Sequence, residues 1–347
     1  MNAGYYDAIL PVREFRDDEA GIIADLRLPY RTLASVFVPS GRIVVAFVSD
    51  SALLTRMFAA NWARAGTDQE PDATLYALTH SARGYGLDDA LDEARWWSAA
   101  GKLMVVFGFG SYRLAKVCIR GICSAVSGDD ILFLHGCALT LGKGNYRRGV
   151  VITGSSGAGK TTLVAGLLKH AGLPVTVMND DWGAVSLSSG KSVSTGERML
   201  HMKSSSVLAF RPDFFSSAPR DLYSYDLSEP DRTARILVSP EGVYGTSWDP
   251  TTAVTEHLAA IVRKPPGWTP PRQKRETDRV LMSGGDSASS PHHEAFFNGS
   301  LILTTAGDEQ REEQRYHRLL NRTAVSWINN DSTPEGLVER FISAVMK

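Results

Sequence analysis

Apolar positions along this chain fall into short runs with two different periods. Runs at Arg42–Val48, Leu75–Leu78 and Leu103–Phe109 are continuous or alternating and predict strands, with a helical stretch around Leu53–Arg64 after the first. Between Arg113 and Val126 the apolar or small residues Leu114, Val117, Cys118, Gly121, Ile122 and Ala125 keep a helical period, with Lys116, Arg120 and Ser124 opposite. That arrangement predicts an amphipathic helix whose polar side meets water. Ile131–Leu134, Gly149–Thr153 and Val175–Met178 are short apolar runs bounded by glycine, aspartate or proline and predict strands, and Thr162–His170 predicts a helix that stops before Pro174.

After residue 190 the periodicity weakens. The stretch Arg263–Arg275 combines four prolines with five basic residues and no acid, which disfavours a packed helix or a central strand, because proline removes a backbone donor. Together with Ser283–Pro291 it predicts long loops around a short apolar piece at Val280–Met282. The residues leave open whether this insertion, about 264–291, covers a substrate or is a surface excursion. Order is expected again at Leu301–Thr304, followed by a helix carrying Arg311, Arg315, Arg318 and Arg322 in solvent. A last helix is expected with Ser332 or Thr333 as cap, Pro334 in its first turn, and Leu337, Val338, Phe341, Ile342 and Val345 as its buried stripe.

Composition narrows the class. At about 150 residues per domain, 347 residues make roughly two domains, and 43% hydrophobic with 22% charged residues is a globular balance. The expected division is an N-terminal α+β accessory region over 1–125 and a second domain over 126–347. Thirty-seven basic against 38 acidic residues give a formal charge of −1, which supplies no global field for nucleic acid or an anionic membrane. The longest strongly apolar block, Leu103–Phe109, is far shorter than the roughly 18 residues of a membrane span. The opening residues carry neither a basic leader nor an apolar stretch of signal-peptide length, so a cytoplasmic location is expected. Cys118, Cys123 and Cys137, even with His135, lack CxxC spacing, and buried thiols are expected in place of a zinc site.

The strongest chemical signal is Gly154-Ser155-Ser156-Gly157-Ala158-Gly159-Lys160-Thr161, which satisfies G-x-x-x-x-G-K-[ST] in full and continues into Thr162. An apolar run precedes it and an apolar helix follows. Consecutive N–H groups at a helix N-terminus then cradle phosphate oxygens, Lys160 reaches the β and γ phosphates, and the Thr161 hydroxyl completes a magnesium shell. The expected cofactors are ATP and Mg2+. Asn321-Arg322-Thr323 is not the guanine-reading N-K-x-D pattern, and Leu281–Asp286 is not followed by the acidic strand of a transporter ATPase.

One helix after the lysine comes Val175–Asn179 and then Asp180-Asp181. In a parallel sheet the carboxyl ends of neighbouring strands open on one crevice, so these acids are expected to face the γ phosphate. One can accept a hydroxyl proton while its neighbour holds metal directly or through water. The plainer alternative is a pair of turn-capping acids.

Leu134-His135-Gly136, the strand and loop that follow, and Asp180-Asp181 together resemble the catalytic domain of HPr kinase/phosphorylase and its phosphoenolpyruvate carboxykinase-like relatives, over roughly residues 127–210. The resemblance implies an α/β kinase core of that type acting on a serine-like hydroxyl of a small molecule, peptide or protein. It implies that His135 steers the aspartates, Asp180 is the base, Asp181 assists with metal, and Lys160 and Thr161 hold nucleotide and magnesium. Glu197 is the nearest candidate for the family's metal-linked glutamate, with a surface salt-bridging role as its alternative. The family's glycine-rich region after the paired acids has no recognisable counterpart here, and residues 1–125 match no accessory domain of it. Arg198, Arg232, Arg235, Arg263 and Arg272 are candidates for neutralising the transferred phosphoryl. The acceptor is open, a homo-oligomer is open, and the rival readings are a nucleotide-driven regulatory switch and a carboxykinase-like transfer to an enolate.

Overall fold

The structure is a computed structural model, and it describes residues 12–14, 21–23, 25–85, 95–98, 102–108, 112–142, 147–154, 158–170, 172–180, 182–203, 207–208, 223–224, 235–245, 253–262, 269, 306–330 and 333–346. The expected insertion at 264–291 lies outside these residues apart from position 269, as do the runs at Val280–Met282 and Leu301–Thr304. In chain order the elements begin β1 (Val12–Glu14), β2 (Tyr30–Val38), β3 (Gly41–Ser49), α1 (Ala52–Asn61), β4 (Ala63–Arg64), β5 (Ala73–Ala77), β6 (Arg95–Ser98), β7 (Leu103–Val106) and α2 (Tyr112–Val126). They continue with β8 (Ile131–Leu141), β9 (Arg148–Thr153), α3 (Lys160–Lys169), β10 (Val175–Asn179), β11 (Trp182–Ser186), β12 (Lys191–Ser194), β13 (Leu200–Lys203), β14 (Tyr223–Ser224), β15 (Arg235–Val238) and α4 (Pro240–Tyr244). The last are β16 (Ala253–Val262), α5 (Ala306–Leu320), β17 (Ala324–Asn329) and α6 (Pro334–Val345). The fold is mixed α/β.

The first sheet has the order β1-β6-β7-β5-β3-β2-β4, with β3, β5 and β7 parallel neighbours. β3 is buried along almost its whole length, which is why it reads as a continuous apolar run. Helix α1 starts where the Ser51 hydroxyl accepts from the Leu54 N–H at 3.3 Å, and it lays Phe58 flat on Phe47 with ring centroids 4.4 Å apart. At the end of β3 the Asp50 carboxylate accepts from Thr79 N at 3.1 Å, Thr79 Oγ1 at 2.6 Å and Tyr85 Oη at 2.6 Å. Partial burial alone would raise the Asp50 carboxyl, but hydrogen bonds from Thr79 and Tyr85 outweigh it and hold the group below its usual value. A carboxyl depressed on folding stabilises above its unfolded pKa of about 3.9 and loses that contribution as pH falls through the folded value. Asp50→Asn is therefore expected to lower Tm at neutral pH, with the gap to wild type narrowing below about pH 4. Thermal melts across that range check this, and a gap that stays constant would contradict it.

The second sheet is built on β8. One edge of β8 pairs antiparallel with β10, from Val175↔Leu141 to Asn179↔Ala138, and then with β11, from Trp182↔His135 to Ser186↔Ile131. The other edge pairs antiparallel with β9, from Gly136↔Thr153 to Leu141↔Arg148. Beyond β9 lies β16, parallel to it, and then β17, parallel to β16, while β12 pairs antiparallel with both β11 and the start of β16. Side chains alternate between the two faces. Cys137, Leu139, Ile152, Ala259 and Ile261 pack against α3 and α6, while Leu132, Leu134, Val151, Leu258 and Ala260 pack under Tyr316, Leu319 and Leu320 of α5. A smaller sheet, β13-β15-β14, follows the second.

Four expectations are corrected. The run expected to end at Leu134 continues to Leu141 as one eleven-residue strand. Gly136 lets it pass, because a Cβ there would run into the Ile152 carbonyl of β9. The strand carrying the acids does not sit in a parallel sheet beside β9, since β8 lies between them and is antiparallel to both. Arg120, expected on the wet side of α2, is only 2% exposed, its guanidinium carbon 5.6 Å from the centre of the Trp182 ring, whose electron-rich face accommodates a cation. Arg315, expected in solvent, is buried and donates to Gly128 O at 2.9 Å and Asp129 Oδ1 at 3.2 Å, so α5 clamps the turn before β8.

The core does not stop at residue 125. Phe47, Phe58, Trp62, Ile119, Ile122 and Cys123 share one apolar cluster with Ile131, Phe133, Trp182, Ala184 and Met199. Trp182 stacks on Phe133 at 4.6 Å and meets the edge of Trp62 at 5.8 Å. Cys118, Cys123 and Cys137 are all buried and none is in a disulfide. Among the described residues no helix is long and apolar enough to cross a membrane.

Candidate functional site

Because β9 and β10 are each antiparallel to β8, they run in the same direction and release the chain on the same side of the sheet. Thr153, the last residue of β9, stands opposite Gly136, and Asn179, the last of β10, stands opposite Ala138 on the other edge. Gly154 and Asp180 therefore leave the sheet on the two flanks of the His135–Cys137 segment, with His135 itself paired to Trp182. The register brings together the loop, the acid and the His-Gly strand, residues far apart in sequence. A bulge at Val177/Asn179 makes the turn possible, and the Asn179 Oδ1 accepts from the Ala138 N–H at 2.6 Å, keeping the strand end fixed.

The described part of the loop is Gly154 and Ala158 onward; Ser155, Ser156 and Gly157 lie outside the described residues. Gly159 precedes α3 with φ +110°, ψ 14°, a conformation that L side chains rarely adopt, and α3 has no side-chain cap there. A glycine in that position brings no capping oxygen of its own to the first N–H groups of the helix. Lys160, 9% exposed, donates from Nζ to the Gly154 carbonyl at 2.7 Å, spanning the loop from end to start. Thr161 and Thr162 sit half-buried on the first turn, and Leu163 N closes the first helical bond to Gly159 O at 2.9 Å.

Asp180 is 8% exposed, and Asp181 lies outside the described residues. A neighbour that the sequence did not reveal is Tyr244, at the end of α4. Burial, then the charge of Asp180, then Cys137 push the Tyr244 phenol well above its usual value, so it stays protonated beside the carboxylate. Its helix was not among the expected elements, although its ends carry local signals: Ser239 caps it by accepting from Gly242 N at 3.1 Å, Pro240 fills the first turn, and Gly245 closes it in a left-handed conformation. The proximity of Tyr244 to Asp180 has no local signal.

Glu197 is 4% exposed, which removes the surface salt-bridge alternative. It pairs with Trp62 in an isolated antiparallel bridge, within a segment bonded to β2, β4 and the end of α1. Phe37 N donates to Thr195 O at 3.1 Å, Ala63 N to Gly196 O at 3.2 Å, and Arg198 N to Asn61 O at 2.6 Å. The Thr195 hydroxyl in turn donates to the Trp182 carbonyl at 2.9 Å, tying this segment to the strand that follows the acids. Of the candidate arginines, Arg198 is exposed beside Glu197, Arg235 lies on β15, and Arg232, Arg263 and Arg272 lie outside the described residues. The site thus pairs a glycine-rich helix start and a buried lysine with a buried carboxylate across one strand. A scan against protein-family profiles and a search of curated proteins both return no match for this chain.

Proposed function

We propose that this protein is an ATP-dependent phosphotransferase of the HPr kinase-like type, moving the γ-phosphate to a serine-like hydroxyl of a small molecule, peptide or protein. The observation that supports it most is the register of β8, which sets the loop of Gly154–Thr161 and the carboxylate of Asp180 on either side of His135–Gly136. A loop alone would suit any nucleotide-binding protein, whereas a carboxylate on the opposite flank adds a group that could accept the proton of an attacking hydroxyl. Lys160 would leave the Gly154 carbonyl for the β and γ phosphates, where a cation stabilises the charge of the transition state. Asp180 would take the acceptor hydroxyl's proton as the acceptor oxygen bonds to the γ-phosphorus and the bond from that phosphorus to the bridging oxygen breaks, releasing ADP, while Tyr244 stays protonated near the carboxylate and does not compete as a base. Magnesium would be held through the Thr161 hydroxyl, with Asp181 and Glu197 as its further candidates, and phosphate oxygens would have to complete its shell, since the described residues bring no three His, Cys, Asp or Glu side chains together as a metal site; when bound, the ion would neutralise charge on those oxygens.

The test is incubation of the full chain with Mg2+, γ-labelled ATP and fractionated cell extract, followed by mass identification of labelled products. Label on a hydroxyl of one discrete acceptor is the expected result. Rapid release of inorganic phosphate without any acceptor would favour the regulatory switch, and label on an enolate product would favour the carboxykinase reading.

A further inference from the structure

The C-terminal part of the chain meets the loop from behind. β17 ends at Asn329, whose carbonyl accepts from Arg340 of α6 at 3.0 Å, and α6 is capped by Thr333, so Asn330 sits between two anchored elements. Its side-chain amide donates to the Ala158 carbonyl at 2.7 Å. A Cβ on Gly159 would run into the same amide and would lie 3.6 Å from Leu337 of α6. Asn330 therefore touches the loop at the peptide that joins Ala158 to Gly159.

In a trans peptide the C=O and the N–H point in opposite directions within one plane. Holding the Ala158 carbonyl toward Asn330 fixes the Gly159 N–H on the other side of the loop backbone. We infer that Asn330 is a positioning residue for phosphate binding: it sets the orientation of the Ala158–Gly159 peptide so that the Gly159 N–H is presented to the nucleotide's phosphates. Without it the peptide can rotate, since glycine imposes no barrier of its own, and a pre-aimed donor becomes one that must be ordered on binding. This inference rests on the loop being a nucleotide site, as proposed above.

The experiment measures binding of Mg-ATP and Mg-ADP by calorimetry, and Tm with and without nucleotide, for wild type, Asn330→Ala and Asn330→Ser. Asn330→Ala is expected to weaken both nucleotides about tenfold, the usual scale for one donor to a restrained group, and to shrink the nucleotide-induced rise in Tm while the ligand-free Tm moves little. Asn330→Ser keeps a shorter donor, should fall between the two, and supplies the measurement if the alanine variant does not fold. A purely structural role would lower the ligand-free Tm and leave the dissociation constant of the folded protein unchanged, which would overturn the inference. Wild type that binds, with an alanine variant that binds within twofold of it, would overturn the role of Asn330 alone. Wild type that binds neither nucleotide would overturn the reading of the loop as well.

Discussion

Lys160→Ala should reduce phosphoryl transfer by about 10²–10³-fold or more, the range seen when one preorganised charge is withdrawn from a transition state. The lysine is buried at the loop, and its ammonium is held by the Gly154 carbonyl across the mouth of the turn. That bond keeps the cation in the loop before nucleotide arrives, so little is lost in ordering it when phosphate takes the carbonyl's place. The variant should fold, because the lysine lies outside the apolar cluster packed on α3, and Leu163, Val164 and Leu167 keep their partners. Turnover with labelled ATP, alongside circular dichroism, checks both halves. A folded variant with unchanged turnover would remove the kinase proposal.

Asp180→Asn should keep Mg-ATP affinity within a few-fold and still cut transfer by about 10²–10⁴-fold, the contribution of a general base. A serine-like hydroxyl needs somewhere for its proton to go, and an amide of the same shape cannot accept it. Tyr244 sharpens the expectation, since a phenol that remains protonated can support a carboxylate but cannot replace it as the base. The measurement is kcat against the dissociation constant for Mg-ATP in the same preparation. Transfer at the wild-type rate would move the base assignment to Asp181.

Local features of the site were legible in the sequence because they are short-range: the loop motif, the helix after it, and the capped final helix, where Thr333 accepts from Gly336 N and Leu337, Val338, Phe341 and Val345 are buried. The order of strands was not. That β8 separates β9 from β10 depends on pairings between residues up to 41 positions apart, such as Ala138 with Asn179, and no local period encodes them. β16 escaped notice for another reason. Its first half is polar, with Glu256 and His257, and only from Leu258 onward do both faces meet packed layers. Arg120 misled the helical pattern because an aromatic face at Trp182 takes the place that water would otherwise fill. The burial of Glu197 was not legible because its bridge partner, Trp62 at the end of α1, lies more than a hundred residues earlier.

The shared cluster across residue 125 bears on how this protein can change through descent. Trp182 is separated from Asp180 by one residue, yet it is enclosed by Trp62 and Arg120 from the N-terminal region. A substitution in α1 or α2 that alters the shape of that enclosure presses directly on the first residue of β11, two positions after Asp180. The N-terminal region thus supports the start of β11 through packing alone. An unrelated N-terminal region joined to residue 126 would have to bring a matching hollow for the Trp182 indole with it.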